Sequence, residues 1–71
     1  MEIIEITTAF IRLDQLLKFS GTVGSGSEAK AMILDGIVKV NDAICLQRGK
    51  KIYPGDKVTI EDITFEVQAS Q

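Results

Sequence analysis

Seventy-one residues suffice for one domain and not for two. There is no histidine and one cysteine, Cys45, which leaves the chain without the commonest general base near neutral pH, without an internal disulfide and without a Cys/His metal site. The formal net charge of −2 argues, at first sight, against a nucleic-acid partner.

In chain order, Ile3-Ile4-Glu5-Ile6 reads as a short strand, since branched residues suit a half-buried sheet. A first helix is expected over about Arg12 to Phe19, with Leu13, Leu16 and Leu17 on one face at i, i+3 and i+4 and Lys18 on the polar face. Gly21 falls where a left-handed C-terminal cap belongs. A second helix is expected over about Ser27 to Asp35. Ala29, Met32 and Ile33 repeat the apolar spacing, Ser25 and Glu28 match a capping box, and Gly36 marks the stop. Ser27 and Lys30 fall together on another side of that helix.

After Gly36 the period changes to two. Val38 and Val40 alternate with Lys39 and Asn41, Asn41-Asp42 suits a tight turn, and Ile44-Cys45-Leu46 suits the return strand. Cys45, flanked by apolar neighbours, reads as a packing residue rather than a reactive thiol. A polar, basic stretch follows from Gln47 to Lys51. Pro54-Gly55 supplies the dihedral angles of a type II turn, and Lys57–Glu61 with Thr64–Val67 reads as a final hairpin. The expected fold is α+β: two helices on one face of a small, mostly antiparallel sheet of about four to five short strands, in a single domain over 1–71. No segment approaches the roughly 18 apolar residues needed to span a membrane, and the acidic start lacks the basic opening of a signal peptide, so a cytoplasmic protein is expected.

Charge is segregated along the chain. Residues 12–57 hold all eight bases and five acids, a net of +3, whereas the flanks hold five acids and no base, a net of −5. A basic centre can meet phosphate locally while the remainder stays acidic; the alternative is a mixed, solvated surface. Arg48, Lys50 and Lys51, around Gly49, form the densest positive run. Lys18, Lys30, Lys39, Arg48, Lys50 and Lys51 are expected on one face. The lead-in Gly24-Ser25-Gly26 lacks the Lys-Ser/Thr ending of a nucleotide-binding loop, but amides at a helix start attract anions. Phe10, Phe19 and Phe65 sit in apolar contexts and are expected in the core. That disfavours stacking on single-strand bases and favours phosphate and shape recognition of duplex RNA.

Four blocks then carry a family resemblance. Arg12-Leu13-Asp14-Gln15-Leu16-Leu17-Lys18, Ser27-Glu28-Ala29-Lys30-Ala31-Met32-Ile33, Gly36-Ile37-Val38-Lys39-Val40-Asn41-Asp42 and Pro54-Gly55-Asp56-Lys57-Val58 occur in order over roughly residues 10 to 60. Together they resemble the RNA-binding domain of the ribosomal protein S-four type, the αL motif, and within it the small stand-alone bacterial ribosome-associated members. The resemblance implies non-catalytic binding of structured RNA, ribosomal RNA first, with a role in ribosome assembly or translation. It implies an RNA-binding face made of Arg12, Lys18, Ser25, Ser27, Lys30, Lys39, Asn41, Arg48, Lys50 and Lys51. Asn41 has a second reading, that its amide holds the turn. No cofactor and no metal is expected.

Two other classes of function stay open beside RNA binding. One is a protein-interaction module that pairs a partner through an open edge at Thr64–Val67. The other is an enzyme, disfavoured by the missing histidine and by a chain too short to hold a catalytic domain as well.

Overall fold

The structure, a computed structural model, describes residues 1–70. It contains strand β1 (Glu2–Ile6), β2 (Ile11–Arg12), helix α1 (Leu13–Phe19), α2 (Gly26–Leu34), β3 (Val38–Val40), β4 (Ala43–Ile44), β5 (Lys51–Ile52), β6 (Lys57–Ile60) and β7 (Ile63–Ala69). Five strands form one sheet in the order β1-β7-β6-β3-β4; β2 and β5 form a separate antiparallel ribbon. All pairings in the large sheet are antiparallel except β1 with β7. The expected α+β fold with two helices on a mostly antiparallel sheet is what forms.

The helices follow from local chemistry. In α1 the stripe Leu13, Leu16 and Leu17 is wholly buried. The helix ends in a Schellman arrangement: Gly21 takes φ +81°, its N–H donates to the Lys18 carbonyl, and the Thr22 N–H donates to the Leu17 carbonyl. In α2, Ala29 and Ile33 are buried. The Ser25 hydroxyl accepts from the Glu28 N–H at 3.3 Å, and the Glu28 carboxylate accepts from the Gly24 N–H at 2.9 Å. This is a capping box displaced by one residue on its return arm.

The strands alternate as their sequence asks. Val38 and Val40 point into the core and Lys39 points out. Asn41 and Asp42 close the β3–β4 turn with φ of +51° and +72°, the pair of positive angles that a type I′ hairpin needs. Around Pro54-Gly55, Gly55 has φ +98° and the Asp56 N–H donates to the Tyr53 carbonyl at 2.9 Å, as in a type II turn. One core joins both layers: α1 and α2 supply Leu13, Leu16, Leu17 and Ile33, and the strands supply Val38, Val58, Phe65 and Val67. Cys45 packs half-buried against that core, with Sγ 3.6 Å from the Gln47 carbonyl oxygen.

Three expectations are corrected. Thr64–Val67 is not an open edge. It lies within β7, between β6 and a parallel β1, and the sheet's edges are β1 and β4. Pairing between the two ends of a chain leaves no trace in local periodicity. Phe19 is not in the core but 65% exposed, because it falls off the Leu13–Leu16–Leu17 stripe in the last turn of α1. Phe10 is half-buried at the ribbon rather than fully enclosed. Of the three phenylalanines only Phe65 is buried as expected. No helix among the described residues is long and apolar enough to cross a membrane.

Candidate nucleic-acid interface

The start of α1 has no side-chain cap from Arg12. Its free amides are instead met by the basic loop. The Leu13 N–H donates to the Lys50 carbonyl at 2.9 Å, and the Asp14 N–H donates to the Arg48 carbonyl at 3.0 Å. The Gln15 N–H donates to the Asp14 carboxylate at 2.9 Å. These bonds satisfy helix-end donors that would otherwise be orphaned, and they fix the loop's backbone against the helix. The run Arg48-Gly49-Lys50 is therefore a braced turn, closed by the Lys50 N–H on the Gln47 carbonyl.

Four basic side chains gather there. Arg12 and Lys51 are direct partners in the β2–β5 ribbon. The Arg12 guanidinium lies over Gly49 and contacts the Asp14 carboxylate at 3.3 Å. That contact compensates Asp14, the single buried charged residue among the described ones, while the Arg12 side chain keeps half its surface open. Lys51 Nζ sits 4.9 Å from the centre of the Phe10 ring, and Phe10 in turn leans on Tyr53 at 5.8 Å between ring centroids. Arg48 and Lys50 are exposed with no ion-pair partner among the described residues.

Ser25, Ser27 and Lys30 form a second group at the start of α2. Ser27 and Lys30 are exposed at i and i+3, whereas the Ser25 hydroxyl is used as the helix cap. The Glu28 carboxylate occupies the space above Gly24 that an incoming anion would take. Lys18 is exposed in the last turn of α1. Lys39 does not join these groups. The register pairs it with Ile44 and Thr59, so its side chain stands on the sheet face turned away from the helices. Lys57, which sequence reasoning left out, shares that outer face and pairs with Glu66.

Asn41 is a bracket. Its Oδ1 accepts from the Lys57 N–H at 2.9 Å, and its Nδ2 donates to the Asp56 carboxylate at 3.1 Å. The other Asp56 oxygen accepts from the Tyr53 N–H at 2.8 Å. The turn-holding reading of Asn41 thus matches its geometry. Among the described residues no cluster of metal-ligating side chains occurs, and no buried side-chain polar atom lacks a partner.

Two helices on a mostly antiparallel sheet, with a basic turn bonded to the start of the first helix, define the αL type of domain. The family model described as "S4 domain" matches residues 4–68, and the chain belongs to that family. The match is wider than the stretch of about 10 to 60 over which sequence blocks were evident. The chain is 43% identical over 65 residues to the "Probable ribosome maturation protein RlbA" of Bacillus subtilis (strain 168), covering 90% of this chain and 92% of that one. It is similar to the solution structure of YbcJ from E. coli, described as revealing an αL motif involved in RNA-binding. There the TM-score is 0.74 and the identity 31%, over 97% of this chain and 89% of the other. A crystal structure of a pseudouridylate synthase matches with a TM-score of 0.70 and 26% identity over 76% of this chain. The match spans only 23% of that synthase.

Proposed function

We propose that this protein binds structured RNA, ribosomal RNA by preference, through the phosphate backbone, and acts without catalysis in ribosome maturation. The observation that carries the reading is the braced basic turn. Arg12, Arg48, Lys50 and Lys51 stand on or beside backbone that α1 holds in place, so little backbone freedom is left to lose when that charge meets RNA. Ser27 and Lys30 extend the contact along α2, with Lys18 at the far end of α1. Lys39 lies on the other side of the sheet and takes no part in the same contact. The RNA-binding description of YbcJ and the ribosome-maturation name of the Bacillus protein support the same reading. The similarity to a fraction of a pseudouridylate synthase supports a shared binding module rather than a shared reaction.

The test is the double reversal Lys50→Glu with Lys51→Glu, in a filter-binding or fluorescence titration on ribosomal RNA fragments. Both side chains are exposed, so stability should change by no more than about 1 kcal/mol, chiefly through the lost Lys51–Phe10 contact. RNA affinity should collapse, nearly uniformly across sequences, because phosphate contacts position a protein without reading bases. For the wild type, about three to five phosphate contacts give a log–log salt slope of roughly −2.7 to −4.5. Reversing Glu61 and Asp62 at the β6–β7 turn should leave binding unchanged or slightly stronger. A folded double variant that still binds as wild type does would sink the proposal.

A further inference from the structure

Beside the basic turn lies an open groove of about 540 Å³, within the size range of small-molecule sites. Ile44, Leu46 and Tyr53 line it together with Lys50 and Lys51. Ile44, Leu46 and Tyr53 are each about half exposed, so their apolar surface is open to a ligand. Tyr53 is placed there by chain geometry. It precedes Pro54 in the type II turn, its N–H is fixed by Asp56, and the Phe10 ring leans on its ring at a tilt. The Asp56 carboxylate also lines the groove, but both its oxygens already accept hydrogen bonds from Asn41 and Tyr53.

We infer that this groove receives one unpaired RNA base, stacked on Tyr53, while Lys50 and Lys51 hold the phosphate that leads into it. The inference rests on the RNA-binding reading above and adds a second recognition element to it. The ligand is then a helix carrying a bulged or terminal unpaired nucleotide rather than an uninterrupted duplex. An exposed aromatic ring with aliphatic and cationic neighbours in one groove is the combination that takes a splayed-out base. Every base has a stacking face, so the groove accepts any base.

The experiment compares two RNA hairpins that differ only in one bulged adenosine. Tyr53 is the chain's single tyrosine and there is no tryptophan, so intrinsic emission reports this ring alone. Wild type should prefer the bulged hairpin by about tenfold, the scale of one base–aromatic stack, and its emission should be quenched by that hairpin and not by the paired one. Tyr53→Ala should abolish the preference and leave affinity for the paired hairpin unchanged; Tyr53→Phe should retain the preference. Leu46→Asp places a negative charge in the groove and should abolish it as well, which decides the matter if Tyr53→Ala does not fold. Equal wild-type affinity for both hairpins, with emission unchanged, overturns the groove and leaves the phosphate reading standing. Binding to neither hairpin overturns both.

Discussion

Asn41 holds its turn both by its backbone angle and by its side-chain amide. It takes a positive φ, which asparagine tolerates better than most residues, and its amide ties the β3–β4 turn to the Lys57 N–H, sixteen residues on, and to the Asp56 carboxylate. Asn41→Ala loses both side-chain bonds and keeps the unfavourable backbone angle. It should cost about 2 kcal/mol in denaturant unfolding. RNA affinity per folded molecule should fall far less than for the Lys50/Lys51 reversal, because what the side chain holds is the turn. An Asn41→Ala protein of unchanged stability and lost affinity would make Asn41 a direct RNA ligand. Phe19 and Tyr53 show the converse: aromatic residues whose exposure is set by position. Phe19 lies off a buried stripe, and Tyr53 sits at the head of a surface turn.

At the scale of elements, the two helix starts differ in how they can meet an anion. The first amides of α1 are taken by carbonyls of the basic turn, so any attraction there comes from side chains. The start of α2 carries the Glu28 carboxylate on the Gly24 amide, which neutralises the positive end of that helix. Glu28→Gln keeps an acceptor for the Gly24 N–H and removes the charge. Affinity for RNA should rise about two- to fivefold at low salt, and helix stability should fall by about 0.5 kcal/mol as the dipole loses its partner. Competition titrations at two salt concentrations check this: the gain should shrink with salt. An unchanged affinity would place the start of α2 outside the RNA contact.

For the molecule as a whole, the margin is small. A domain of this size has a net stability of about 3–5 kcal/mol, and its single core is shared by both helices and the large sheet. Leu16 is fully buried at the centre of the α1 stripe. Leu16→Ala should cost about 2–5 kcal/mol, which leaves the protein partly or wholly unfolded at 37 °C by circular dichroism. A cooperative melt within a few degrees of wild type would mean that the core is less integrated than its burial indicates. The acidic net charge is compatible with RNA binding because Arg48, Lys50 and Lys51 fall within four positions, and Arg48 and Lys50 carry no ion pair among the described residues. The basic turn stands at the start of α1, while Glu2 and Glu5 lie in β1 and Glu66 in β7.

What residue order determined by itself is whatever neighbours decide: the leucine stripe of α1, the Ser25–Glu28 cap, the glycine stops, the Val38/Val40 alternation, the Asn41-Asp42 and Pro54-Gly55 turns, and the dense charge of Arg48, Lys50 and Lys51. These rest on interactions between residues one to four positions apart, so their signal lies in the string of letters. Tertiary structure alone decided that β1 closes the edge of β7 in parallel and that the two-residue strands β2 and β5 pair, being too short to show any period. It also decided that carbonyls of Arg48 and Lys50 cap a helix more than thirty residues earlier in the chain, that Lys39 faces away from the other bases, and that Tyr53 stands beside the lysines over an open groove. Each of these joins segments far apart in the chain. Such contacts form only because burying one shared core brings the segments together, and no local pattern records which distant backbone that burial will place alongside.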